Sequence, residues 1–338
     1  MSADALMRAP IALLPVLLFL AGLVQLDGYK LVRMRMMIAL VATGALAAGV
    51  AYVLNNMAFG HFHGSFVTYS RYVSPWIEES LKAALLVCLN RTRRVGLPVD
   101  AGIAGFAIGT GFAVVENLYY LAVHPHTMLA VAVIRGFGTA IMHGGTAAIL
   151  AMISNTLYER RPGGGLHLLL PGLFAAVALH TGYNYLLVRP ALATLATLLV
   201  LPFVIYLVFD HSERILRRWI EVDLDSDVKR LAAISTGTFL NSPSGRYLQA
   251  LRDRFKGEQL ADMLCYLRVH GELAVRAKGV LLLREAGMPD LPIDAETGAR
   301  LAELAQLERA IGKTGMLALR PLMMATGKEI WQLTLLRQ

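Results

Sequence analysis

Through residue 209 the apolar positions gather into runs close to the ~20 residues that a helix needs to cross a bilayer. They fall at 9 to 26, 36 to 54, 76 to 90, 99 to 122, 128 to 156, 166 to 188 and 191 to 209. Seven spanning helices are predicted. Two runs are irregular: the third is short and opens on Glu78, Glu79 and Lys82, and Arg135 and His143 interrupt the fifth. From Asp210 the pattern changes. SGRYLQALRDRFKGEQLADMLCYLRVHGELAVRAKGVLLLREAG has apolar residues recurring at three and four, the mark of an amphipathic helix, with Gly257 and Gly271 as candidate breaks. DAETGARLAELAQLERAIGKTG predicts another helix and PLMMATGKEIWQLTLL a third. The expected fold is all-α: a polytopic helical membrane bundle of about seven spans, residues 1–209, and a small cytoplasmic helical domain, residues 210–338.

Composition agrees with a membrane protein, at 56% hydrophobic and 17% charged residues against roughly 25% charged in an ordinary soluble domain. The net charge of +8 is uneven: residues 1 to 209 hold 13 Lys and Arg with 7 Asp and Glu, and the remainder holds 19 and 17. Basic residues in short loops beside spans orient a chain on a membrane, so nucleic acid is not an expected partner and the lipid bilayer is. Alternate loops carry Lys30, Arg33 and Arg35, then Arg91, Arg93 and Arg94, then Arg160 and Arg161, and the tail opens with Arg214, Arg217 and Arg218. The other loops hold only Arg8, Arg71 and Arg189. This predicts a multi-pass protein of the cell (inner or plasma) membrane, N-terminus outside and C-terminus cytoplasmic. The N-terminal run has no convincing cleavage site and reads as a retained first span. Cys88 and Cys265 form no CxxC pair and no disulfide framework.

With that orientation and ~1.5 Å of rise per residue, polar groups from four spans converge on the outer half of the bilayer. Glu78 and Glu79 open the third span, with Lys82 three or four residues on and able to pair with either. Glu116 lies below the outer end of the fourth span, in GFAVVENLYY, on one face with Gly105, Gly109 and Phe112. Arg135, Thr139 and His143 step along one side of the fifth, and His180 and Asn184 stand one turn apart on the sixth. Each has a bland explanation: a capping acidic pair with a snorkelling lysine, interhelical hydrogen bonds for the histidines, a structural counter-ion for Arg135. A charge at bilayer depth costs from about 2.5 kcal/mol upward, and convergence from four spans argues for a site.

Two chemistries fit these residue types. In one, Glu79, Glu116, His143 and His180 are candidate ligands for Zn²⁺, which eases deprotonation of water. In the other there is no metal: a glutamate acts as general base on water, and a histidine with an asparagine stabilises the oxyanion. Neither HExxH nor GxSxG occurs. A proton- or cation-coupled transporter and a non-catalytic membrane scaffold are the alternatives from other classes; an odd span number without an internal repeat disfavours the common transporter plans. Glu79→Gln separates them, because it abolishes a protease while leaving the fold in place.

EESLK at 78 to 82, FAVVEN at 112 to 117, His143 followed by small residues, and HTGYN at 180 to 184 together resemble the PrsW family of intramembrane proteases. In motif layout that family is similar to the CAAX-endopeptidase and bacteriocin-processing group. The likeness covers roughly residues 10 to 209. It implies a peptidase, metallo- or glutamate-type, cutting a membrane-anchored protein such as an anti-sigma factor near the outer membrane face. The catalytic residues it implies are Glu78, Glu79, Glu116, His143, His180 and Asn184, with Lys82 supporting; Arg135 is added as a supporting residue from its place in the fifth span, not from the resemblance. Tyr183 departs from the tryptophan that the family often has before the asparagine.

Overall fold

The computed structural model describes residues 3–27, 32–91, 95–161, 164–186, 189–288, 294–323, 332–333 and 335–336. It forms two compact units, Met1–Ser212 and Glu213–Gln338. The first unit holds α1 (Ala3–Leu26), α2 (Met34–Gly60), the short α3 (Phe66–Tyr72), α4 (Ser74–Arg91), α5 (Pro98–Val123), α6 (Leu129–Ile134), α7 (Ala140–Arg160) and α8 (Leu170–Leu186). It takes α9 (Pro190–Ser235) as far as Ser212. Among the described residues there are no strands, and the chain is an all-α membrane bundle.

Six helical stretches are long and apolar enough to cross a membrane: Met7–Leu26, Met34–Gly60, Pro98–Val123, Leu129–Arg160, Leu166–Leu186 and Pro190–Ser235. The expected third span is also a helix, α4, of 18 residues. Its charges keep it out of that group, so the count of seven is taken up below as a proposal. Lys30, Arg93 and Arg94, part of the orientation argument, lie outside the described residues, as does most of the helix expected from Pro321 on.

Helix α5 is the centre of the first unit and packs against α1, α2 and α7. Its residues Ile103, Ala104, Phe106, Ala107 and Ile108 have no solvent exposure. Small residues make this possible by letting backbones approach closely. A Cβ at Gly111 would run into the Val41 carbonyl of α2, and one at Gly109 into the His143 carbonyl of α7. Between α6 and α7 the run widens into one π-helical turn, Arg135–Thr139, where the Ala140 N–H reaches back to the Arg135 carbonyl. Such turns shift helix register and recur at functional sites.

The second unit contains the rest of α9, then α10 (Pro243–Ala250), α11 (Gly257–Glu285) and α12 (Ala295–Leu319). Ser242 caps α10 by accepting from the Gly245 N–H at 3.0 Å, and Asp294 caps α12 by accepting from the Thr297 N–H at 2.8 Å. The break expected at Gly257 is the start of α11. Gly271 breaks nothing: α11 runs through it, and the glycine is buried against Leu231 of α9. Met263, Val269, Leu273, Ile311 and Leu319 form the core. Lys278, also buried, donates to Asp227 at 2.5 Å and lies 5.0 Å from the Trp219 ring centre.

Burial pushes the His270 imidazole down to about 4, with Arg230 and Lys278 reinforcing and Asp227 opposing. Unfolded histidine titrates near ~6.5, so between these values the unfolded chain binds more protons. The contribution to stability is complete above pH ~6.5 and is lost as pH falls toward 4. Hydrogen exchange of α11 in the full-length protein is expected to show weaker protection at pH 5 than at pH 7 once the intrinsic rates are corrected. His270→Phe is expected to flatten that difference, and an undiminished difference would refute the assignment to His270.

Candidate active site

Pro75, in the first turn, suits a helix start because its missing N–H needs no partner there, and α4 then presents Glu79 and Lys82 to the interior at i and i+3. Neither has any solvent exposure. Lys82 Nζ donates to Glu79 Oε1 at 2.8 Å, lies 3.0 Å from His143 Nδ1 and sits 4.5 Å from the Phe112 ring centre. Glu79 Oε1 also accepts from His180 Nδ1 at 2.8 Å and from Thr146 Oγ at 3.2 Å. Three donors from three helices thus crowd one oxygen. The other, Oε2, is buried with no hydrogen-bond partner.

Lysine only donates, so His143 Nδ1 accepts and, in the neutral ring, the proton sits on Nε2. That nitrogen is 2.6 Å from Glu116 Oε2. Glu116 Oε1 receives Arg135 Nη2 at 2.8 Å, and Arg135 Nε donates to Asn117 Oδ1 at 2.9 Å. The Asn117 amide donates in turn to the Ala12 carbonyl of α1 at 2.8 Å. Arg135 thus neutralises Glu116 from the π turn, and the Tyr120 ring lies 4.2 Å from its guanidinium carbon.

Glu78, one residue before Glu79, points elsewhere on the helix. Its Oε1 accepts from Ser74 Oγ at 2.5 Å and from Asn55 Nδ2 at 3.3 Å, and its Oε2 is 3.8 Å from His180 Nε2. The His143 and His180 rings meet edge to face with centroids 4.9 Å apart. One ligand atom each from Glu78, His143 and His180 lie within 4.8 Å of one another.

Glu79, Lys82, Glu116, Arg135, His143 and His180 therefore form one continuous network, with Glu78 beside its His180 end. Asn184 is placed differently: its amide donates to the Ser70 carbonyl of α3 at 3.0 Å. Tyr183 is buried with its hydroxyl 3.1 Å from Thr139 Oγ. Thr146, Asn55 and Ser74 also belong to the site, beyond the residues the sequence motifs single out. The signals were available: Thr146 follows His143 by one helical turn, and Asn55 is a polar residue in an apolar run.

Residues 33–209 match the PrsW family intramembrane metalloprotease model. The chain belongs to this family. No curated protein and no solved structure matches it. Membership makes the first unit a membrane protease domain, a peptidase.

The residues fit the metal that the family description implies. Two imidazoles and a carboxylate from α4, α7 and α8 make a three-ligand set of the kind that leaves a fourth position for water or substrate; both His143 nitrogens are engaged in this structure, Nδ1 by Lys82 and Nε2 by Glu116, so ligation by His143 requires one of these contacts to give way. His180 donates its other ring N–H to Glu79, the arrangement that fixes a ligating histidine's tautomer. This ligand group contains Glu78, whereas Glu79 is committed to Lys82 and Glu116 to Arg135.

Removing one partner of a buried ion pair leaves an uncompensated charge and costs about 3 to 5 kcal/mol. Lys82→Met is expected to lower stability by that order in detergent unfolding experiments. Adding Glu79→Gln is expected to recover most of the loss, and a double variant as unstable as Lys82→Met would contradict the pairing.

Proposed function

We propose that this chain is an intramembrane endopeptidase that hydrolyses a membrane-anchored protein, with an anti-sigma factor as the substrate class that the family likeness suggests. In this reading α4 is a seventh span, the N-terminus is outside, the second unit is a cytoplasmic domain, and cleavage occurs near the outer face of the cell membrane. The basic residues of alternate loops support that orientation.

The observation that carries the reading is the buried Glu79, which gathers Lys82, His180 and Thr146 on one oxygen and leaves the other unpartnered. In the proposed mechanism Glu79 Oε2 takes the proton of the attacking water and returns it to the leaving amine. Lys82 and His180 hold Glu79 in place for that exchange. Glu78, His143 and His180 would hold a divalent cation, Zn²⁺ by its preference for nitrogen and oxygen donors. When bound, the ion supplies Lewis acidity, polarising the scissile carbonyl and favouring deprotonation of water. Glu116, clamped by Arg135, keeps the His143 ring oriented.

The test compares membrane-protein fragments from cells that express the wild type or Glu79→Gln at matched abundance. Fragments that appear only with the wild type are expected, and their termini would name the substrate and the bond. Identical fragment profiles at rest and under envelope stress would overturn the peptidase reading of this cluster.

A further inference from the structure

Of the two adjacent carboxylates, Glu78 is oriented by residues outside the network that holds Glu79: Ser74 on its own helix, and Asn55 and Tyr69 on α2 and α3. Tyr69 of α3 is buried, with the Phe59 and Phe62 ring centroids 5.2 and 5.4 Å from its own. Its hydroxyl donates to Asn55 Oδ1 at 2.9 Å, with the Asn55 carbonyl at 3.1 Å. A phenol has a single proton to give, and giving it there decides which way the Asn55 amide faces. The oxygen turns to Tyr69 and the NH2 to Glu78 Oε1, 3.3 Å away. Ser74 Oγ donates to that same oxygen at 2.5 Å.

With Oε1 taken by two donors, Oε2 is the oxygen that Glu78 offers to the site, 3.8 Å from His180 Nε2. His180 gives its Nδ1 proton to Glu79, so in the neutral ring Nε2 carries a lone pair. Two acceptors thus face each other across a gap too long for a hydrogen bond. Ligands at zinc distances in a tetrahedral site stand about 3.3 Å apart, close to this separation.

We propose that Tyr69 and Asn55 are positioning residues for Glu78: through the Tyr69–Asn55–Glu78 relay they set which carboxylate oxygen is offered to a divalent cation shared with His180. The proposal rests on the reading of Glu78, His143 and His180 as ligands. It also gives Asn184 a part, since its bond to the Ser70 carbonyl ties α3, and with it Tyr69, to α8.

The experiment titrates Zn²⁺ into the metal-stripped full-length protein in detergent, in competition with a chromogenic chelator. Tyr69→Phe keeps the ring in its aromatic cluster and removes only the hydroxyl. Tyr69→Phe and Asn55→Ala are each expected to weaken zinc binding by about 10- to 100-fold, the usual effect of losing a group that orients a ligand. Glu78→Gln weakens it as well, and Asn55→Ala added to Glu78→Gln is expected to cause no further loss, because Asn55 acts only through that carboxylate. Wild-type affinity in both single variants beside a weakened Glu78→Gln would overturn the relay and leave the ligand assignment standing. A further loss in the double variant would also overturn it, by showing that Asn55 acts through the fold at large. A wild type without a tight zinc site would overturn the ligand reading and the relay with it.

Discussion

Glu79 and Lys82 form an ion pair with no exposure of either side chain. Two charges removed from water are tolerated only when mutual attraction and further hydrogen bonds offset their desolvation, which runs to several kcal/mol per ion. The bundle supplies those bonds from separate helices: His180 from α8, Thr146 and His143 from α7. Satisfying this pair requires α4, α7 and α8 to meet at one level, and their meeting is also what brings Glu78, His143 and His180 within ligand distance of one another. Stability and chemistry therefore impose the same packing.

The second constraint is the approach of α5 to α7. Gly109 lies against the His143 carbonyl, so the backbone that carries the central histidine is seated by the absence of a side chain on α5. The same closeness lets Glu116 reach His143 Nε2 and meet Arg135 from the π turn. Polar contacts then run from Arg135 through Glu116, the neutral His143 ring and Lys82 to Glu79. Each acidic group in that run faces a basic or donor group.

The all-α class, the helical bundle and most of the residues in the network were legible in the sequence, because charge inside apolar runs is costly and conspicuous. The i,i+3 spacing by itself places Glu79 and Lys82 on one helical face. What the sequence could not divide was the labour of the adjacent glutamates. Consecutive helical positions point in different directions, and only the surrounding helices decide which one faces Lys82's neighbours. The Glu116–Arg135 pair was hidden for a related reason: it joins two helices through a π turn that no hydrophobic period announces. Asn184, one turn from His180, looked like a member of the same cluster, but a turn of rise moves it to the level of α3, where the Ser70 carbonyl takes its amide. In the second unit Gly271 looked like a break and is a packing contact, a distinction set by Leu231 of α9.

The central physical claim is that Glu79 is held as a buried ionised carboxylate. The infrared difference spectrum between the full-length protein and its Glu79→Gln variant reads this directly, since ionised and neutral carboxyl groups absorb in separate regions. The account predicts loss of a carboxylate band with no loss of a neutral carboxyl band. Loss of a neutral carboxyl band would mean that Lys82 has no counter-charge in Glu79, and would contradict the ion pair on which the site is built.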